Sequence, residues 1–462
     1  MLFNSLQFIL FFIAITILYF KLPHKVRWGL LLAGSCYFYM AFKPSYILIL
    51  VFTIVVDYFA GIYIENAVGV KRKLFLVCSL IANISVLALF KYWNFLIENL
   101  TASLSFFSLS NPFPILTIVF PIGLSFHTFQ AMSYTIEVYR GHQKAEKHFG
   151  IYSLYVMFYP QLVAGPIERP QNLLPQFRTE FYWDFERVKS GLMLVAFGMF
   201  KKVVIADRLA IVVNDAYGDV NNQNGLTLVV ATIFFAFQAY CDFSGYSDIA
   251  IGSARVMGFK LMENFRTPFF SRSIAELWKR WHISLSSWFK DYLYISLGGN
   301  RVALPRMYFN LFFVFLISGL WHGAKWNFVI WGALHGVYLI IGMAKDKLLP
   351  NMKLPAVLQI LVTFSLFTFS LIFFRANTFT DAVSIIKKTF TLSLHAPLLV
   401  SFNANEMFFS VFLIIFLMVK ERFFFAIPTQ NTTRFYFLFV FILICSYLFG
   451  IFKLNQFIYF QF

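Results

Sequence analysis

Apolar stretches dominate this chain, and its polar residues collect in short gaps between them. Apolar runs lie at approximately 2–20, 28–42, 46–64, 74–97, 113–138, 149–166, 190–206, 226–251, 307–344, 354–374, 407–419 and 435–452. A membrane-crossing helix needs about 20 such residues. The pattern therefore predicts an all-α chain of about 13 apolar segments once 307–344 is divided, roughly 11 or more of them crossing fully. From Met307 to Ala344 the sole Lys, Arg, Asp or Glu is Lys325. That stretch is too long for one crossing and slightly short for two with a turn, which predicts two short or broken helices. The break falls near Ser318-Gly-Leu-Trp-His-Gly-Ala-Lys-Trp-Asn327, at some depth in the membrane. Non-helical backbone persists there only inside protein or beside a wet cavity. His322 is thereby a functional-site candidate; an interfacial histidine beside a tryptophan belt is the plainer reading.

Composition sharpens the class. Apolar residues make up 60% of the chain and charged residues 13%, against about 25% charged in soluble proteins. No gap between the runs is long enough to fold separately, so residues 1–462 read as a single integral-membrane domain. Lys21, Lys25 and Arg27 follow the first apolar run, the reverse of a secretory signal, which makes that run an uncleaved span. The formal charge of +17 lies mostly in short loops, where topology and anionic membrane lipids explain it better than nucleic acid does. Cys36, Cys78, Cys241 and Cys445 fall in or beside apolar runs without metal-ligand spacing, and read as packing residues. No repeat of 20–50 residues is visible.

Loop charge gives an orientation. Basic clusters recur every second span, at 21–27, at 71–73 and at 140–147, whereas no Lys or Arg occurs between Trp93 and Tyr139. The positive-inside rule puts the basic loops in the cytoplasm and the Glu98–Pro114 loop outside. The longest polar interruption, 252–306, carries nine Lys or Arg against three acidic residues, so it too is expected in the cytoplasm. Two prolines and Gly165 in Tyr159-Pro-Gln-Leu-Val-Ala-Gly-Pro166 suggest a re-entrant or broken helix.

Candidate chemistry concentrates in that interruption and its neighbours. On a helical wheel Trp278, Trp281, Leu285, Trp288 and Tyr292 share an arc of about 80°, with Lys279, Arg280, Lys290 and Asp291 opposite. This predicts one interfacial helix across 278–292, with His282 at the edge of its aromatic face. Asp242 and Asp248, near the end of the run at 226–251, need partners, because a lone buried carboxylate is costly. Basic side chains of 252–306 are the expected ones, unless the two acids line a polar funnel. Phosphate loops, dinucleotide fingerprints, a Gly-x-Ser-x-Gly elbow and metal-type His/Cys spacing are absent from the sequence.

Several ordered motifs resemble the membrane-bound O-acyltransferase family, and within it the bacterial branch that serves alginate and peptidoglycan O-acetylation. They are Tyr159–Arg169, Tyr240-Cys-Asp-Phe-Ser-Gly-Tyr-Ser-Asp248, Trp278–Tyr292 continuing to Leu297-Gly-Gly-Asn-Arg301, Leu320-Trp-His-Gly323 and the C-terminal Asn455–Phe462. The resemblance implies transmembrane, re-entrant and interfacial helices around a central funnel that opens to the cytoplasm. It makes His322 the catalytic histidine and His282 a second histidine where the donor enters. Arg280, Trp281, Asp242 and Trp321 are candidates for lining the funnel or meeting the donor. No bound cofactor or metal is implied; acetyl-coenzyme A or another acyl thioester is the donor substrate. The acceptor is an extracytoplasmic polysaccharide such as alginate, cellulose, another exopolysaccharide or peptidoglycan, reached directly or through an extracytoplasmic acetyltransferase partner. Transfer of D-alanine to teichoic acid is the sister activity. A transporter or flippase using His322 and Asp242 is the non-enzymatic alternative. The expected location is the cell inner membrane, in many passes.

Overall fold

Capping residues and prolines set the helix ends, and apolar runs fill the helices between them. The computed structural model describes residues 1–118, 120–163, 165–350, 354–425, 427–452 and 457, and every regular element among them is helical. Two compact units result, Met1–Leu192 with Ala250–Met262, and Met193–Ile249 with Glu263–Phe462.

The first unit contains α1 (Leu6–Lys21), α2 (His24–Met40), α3 (Ile47–Asn66), α4 (Gly69–Leu87), α5 (Trp93–Phe106), α6 (Leu124–Arg140), α7 (Phe149–Met157) and the one-turn helices α8 (Tyr159–Leu162) and α9 (Pro170–Leu173). Ser5 caps α1 by accepting from the Phe8 amide, and a wide turn at Ala88–Tyr92 carries α4 into α5. Polar side chains join the helices where lipid offers no hydrogen bonds. Fully buried Asp57 on α3 accepts from Ser79 (2.6 Å) and Asn83 (2.9 Å), both on α4. Thr53 of α3 meets His127 of α6 at 2.5 Å. The expected break before Pro160 is present, between α7 and α8. Glu168, in the loop that follows, accepts from the Met262 amide and from Asn172, each at 2.5 Å, so this part of the motif ties chain segments together.

α10 (Phe185–Phe200) and α12 (Gly225–Met257) run through the boundaries of the units. The second unit holds their remaining parts with α11 (Asp207–Gly218), α13 (Ile274–Arg280), α14 (Ile283–Trp288), α15 (Leu304–His322), α16 (Trp326–Leu348), α17 (Ala356–Arg375), α18 (Phe379–Phe390), α19 (Ala404–Phe423) and α20 (Thr432–Phe449). Reciprocal capping boxes start α18 (Thr378 with Asp381) and α19 (Asn403 with Glu406). Positive φ at Gly298 and Gly299 makes the turn before α15, and the Asn310 amide donates to the carbonyls of Leu297 and Gly299 across it.

Seven helices among the described residues are long and apolar enough to cross a membrane: Pro44–Asn66, Gly69–Phe106, Gly225–Met257, Leu304–His322, Trp326–Leu348, Ala356–Arg375 and Thr432–Phe449. Two expectations are corrected in the second unit. The run 307–344 makes two helices of full crossing length, because both extend past its apolar limits, to Leu304 and Leu348. The stretch 278–292 is not one helix. It breaks at Trp281–His282, where His282 is left-handed (φ 45°, ψ 52°), and Phe289–Tyr294 forms a wide turn. The C-terminal motif, apart from Phe457, lies outside the described residues.

Glycines let α15 and α16 pack backbone against backbone. A Cβ on Gly319 would stand 2.2 Å from the Phe328 carbonyl oxygen, and one on Gly332 2.3 Å from that of Phe315. Gly336, four residues on, meets the Phe312 backbone in the same seam. This is the small-residue packing that membrane helices use for close approach. Gly332→Val should therefore destabilise the unit by about 1–3 kcal/mol, read as a lower thermal midpoint in detergent. Gly342→Ala, whose Cβ meets open space, should leave the midpoint unchanged; equal effects would show that the seam is not tight.

Candidate active site

The polar segment between α12 and α15 folds inward because its backbone is pinned beside His282. The buried Asn264 carbonyl accepts from the Ile283 amide (2.9 Å), its side-chain oxygen accepts from the Ser284 hydroxyl (2.6 Å), and its amide donates to Ser247 of α12 (3.1 Å). On the other flank the Trp281 amide closes α13 by donating to the Leu277 carbonyl. These bonds hold a non-glycine residue in the left-handed region, a strained state that persists where its surroundings over-determine it. His282 is fully buried. Burial pushes its imidazole well below the ordinary histidine range, and the neighbouring His322 pushes it the same way.

His322 ends α15. Its Nδ1 lies 2.7 Å from the Ser318 carbonyl, one turn back. A carbonyl only accepts, so Nδ1 carries the hydrogen and Nε2 is left as the ring's proton acceptor. Aromatic rings surround the pair. Trp321 is in ring contact with both histidines, its centroid 6.2 Å from His282 and 5.0 Å from His322. Phe243 meets His282 edge-on at 4.6 Å, and Trp331 meets His322 at 4.8 Å.

A third histidine, not singled out by the sequence reading, joins them. His335 lies one turn beyond Trp331 on α16, with centroids 4.9 Å apart. The Trp278 indole donates to its Nδ1 (3.3 Å), and its Nε2 faces the Ser370 hydroxyl (2.9 Å), which itself donates to the Phe367 carbonyl (2.6 Å). Both roles are thus fixed: Nδ1 accepts and Nε2–H donates. The Trp331-x-x-x-His335 spacing was the available signal, since residues four apart share a helix face.

The other candidates separate. Trp281 packs among Phe265, Phe269, Tyr240 and Phe367. Half-buried Arg280 is engaged by Glu276 (2.7 Å) and Thr267 (3.0 Å). Asp242 is buried against Lys202 (2.7 Å), which also pairs with Asp207 (2.8 Å), and Asp248 pairs with Lys201 (2.6 Å). The expectation that 252–306 supplies these cations is therefore corrected. Lys201 and Lys202 come from the wide turn after α10, where buried charges are tolerable because each is paired. Among the described residues no group of three or more His, Cys, Asp or Glu is arranged to hold a metal.

A cavity of about 440 Å³ adjoins the histidines, sharing Trp278 and Ser318 with their surroundings. Ile283, Ser286 and Phe315 line it, and Lys279 and Lys290, both exposed, stand among its walls.

A family model described as MBOAT, membrane-bound O-acyltransferase family, matches residues 83–379, which include all three histidines. The chain belongs to this family. It is a multi-pass membrane acyltransferase. It is 38% identical over 382 residues to the probable alginate O-acetylase AlgI of Pseudomonas aeruginosa, covering 82% of this chain and 72% of that protein. It is 35% identical over 425 residues to a peptidoglycan O-acetyltransferase of Helicobacter pylori, covering 84% and 79% respectively. A teichoic acid D-alanyltransferase of Bacillus subtilis is more distant, at 27% over 286 residues, 56% of this chain and 69% of that one.

The His282 environment carries a pH signature. A histidine in the unfolded chain titrates near about 6.5, whereas the buried ring resists protonation. As pH falls through about 6.5 the unfolded state takes up a proton that the folded state does not, so this group's effect is a loss of stability on acidification. The thermal midpoint of wild type should fall more steeply between about pH 7.5 and about pH 5 than that of His282→Gln. Parallel curves for the two proteins would show that His282 does not resist protonation in the fold.

Proposed function

We propose that this acyltransferase is an O-acetyltransferase that passes an acetyl group from a cytoplasmic thioester, acetyl-coenzyme A or a similar donor, to an extracytoplasmic polysaccharide, with His322 as general base. The observation that carries the reading is the His322 bond to the Ser318 carbonyl, which presents Nε2 as acceptor within an apolar ring of side chains. In the reaction a hydroxyl oxygen attacks the thioester carbonyl carbon and its proton moves to Nε2. The tetrahedral intermediate then collapses, the carbon–sulfur bond breaks, and the proton returns to the departing thiolate. An ester and a free thiol result.

His282 serves the donor side, and His335, through Trp278 and Trp331, keeps the aromatic walls in place. Lys279 and Lys290 suit the anionic part of a coenzyme A donor, with its acyl arm entering the adjoining cavity. Alginate, cellulose, another exopolysaccharide or peptidoglycan is the acceptor class, acetylated directly or through an extracytoplasmic acetyltransferase partner. The acetyl reading is preferred to D-alanyl transfer because the likeness to the O-acetylating relatives is higher and covers more of the chain. The working topology is an inner-membrane protein of roughly 11 crossings, with residues 252–306 in the cytoplasm and the Glu98–Pro114 loop outside.

His322→Ala should insert normally and lose a factor of about 10²–10⁴ in acetyl transfer, the usual contribution of a general base. His282→Ala should raise the apparent KM for acetyl-coenzyme A more than it lowers kcat. Retention of more than about a tenth of wild-type rate by His322→Ala would remove His322 from the role of base, and an unchanged KM with a collapsed kcat would move His282 into the chemistry.

A further inference from the structure

α19 and α20 rest on the Lys201–Ala206 turn more than on each other, and the slot left between them is a cavity of about 500 Å³. Its walls are apolar, with Phe197, Phe200, Phe412, Phe416, Leu438 and Phe441 prominent. One end is closed by the contact of Phe409 with Phe449, ring centroids 5.3 Å apart. At the other end stand Lys420, from the last turns of α19, and Arg434, from the first turn of α20. The Lys420 ammonium donates to the Phe425 carbonyl (2.8 Å) and lies 4.3 Å above the Phe197 ring. Among the described residues no acidic one lines the slot. The adjacent Glu421 is buried and is bonded by the Tyr240 hydroxyl.

We propose that this slot binds one acyl chain of an anionic phospholipid, with the headgroup phosphate between Lys420 and Arg434. From Phe409 to Phe424 the groove follows about 22 Å of helix rise, more than the ~15 Å hydrocarbon depth of one leaflet, so a full-length chain fits along it. Hydrocarbon in the slot gains little over hydrocarbon in the bilayer, so the chain alone gives no selectivity. Preference comes from the two cations, which favour a net-negative headgroup over a zwitterionic one. Arg422 adds a third positive charge to this end of α19, the end that the positive-inside rule assigns to the anionic cytoplasmic leaflet.

The test is native mass spectrometry of the full chain released from vesicles of equal phosphatidylglycerol and phosphatidylcholine. One phosphatidylglycerol should be retained per chain, with about a tenfold preference over phosphatidylcholine. The double variant Lys420→Gln, Arg434→Gln should abolish that preference. Leu438→Trp, on a helix whose crossing segment is only 11% buried, should fill the slot and reduce retention of both lipids without loss of fold. Equal retention of the two lipids by wild type overturns the proposal. So does an undiminished preference in the double variant, undiminished retention of lipid by Leu438→Trp, displacement of the lipid by inorganic phosphate alone, or occupancy by detergent only. Acetyl transfer is measured separately, and none of these outcomes bears on the role of His322.

Discussion

The close approach of α15 and α16 is the constraint on which the site depends. Gly319, Gly332 and Gly336 remove side-chain bulk from the seam, so the carbonyls of Phe315 and Phe328 sit where Cβ atoms would otherwise be. Only at that spacing does the end of α15 bring His322 against Trp331, and Trp331 against His335. Helices in lipid gain little from hydrophobic burial against each other, so their contact rests on fit and on hydrogen bonds. Between α15 and α16 it is the fit, a backbone-to-backbone seam, whereas the bonds of Trp278 and Ser370 to His335 tie α16 to α13 and α17.

Strain and charge are held elsewhere by the same economy of polar groups. Left-handed His282 is fixed through Asn264, one side chain that bonds both Ser284 and Ser247. The carboxylates Asp207, Asp242 and Asp248 share Lys201 and Lys202. These buried pairs specify how α12 meets the turn after α10. They stand apart from the histidines, although Phe243, the residue after Asp242, touches the His282 ring.

Much of this was legible in the sequence. The all-helical membrane character, the division of 307–344 and the break beside His322 all follow from apolar run lengths and one embedded histidine. The wheel across 278–292 failed because helical periodicity assumes an unbroken helix, and the left-handed turn at His282 depends on Asn264, a residue distant in sequence. The five wheel residues are nonetheless all buried, their side chains packing against the rest of the fold. Partners for Asp242 were misassigned for a related reason. Net charge marked 252–306 as the basic region, whereas Lys201 and Lys202 lie inside an apolar run and matter through proximity. For His335 the sequence offers only the Trp331-x-x-x-His335 spacing, a weak signal on an apolar helix, and its role becomes visible where the distant Trp278 reaches it.

In the proposed mechanism the donor meets the site from the side of residues 252–306, and the acyl group leaves on the other. Sealed inside-out and right-side-out vesicles, each given external radiolabelled acetyl-coenzyme A, test it most directly. Label should transfer to acceptor inside the inside-out vesicles, where 252–306 faces the medium, and be lost with His322→Ala. Transfer confined to right-side-out vesicles would contradict the account.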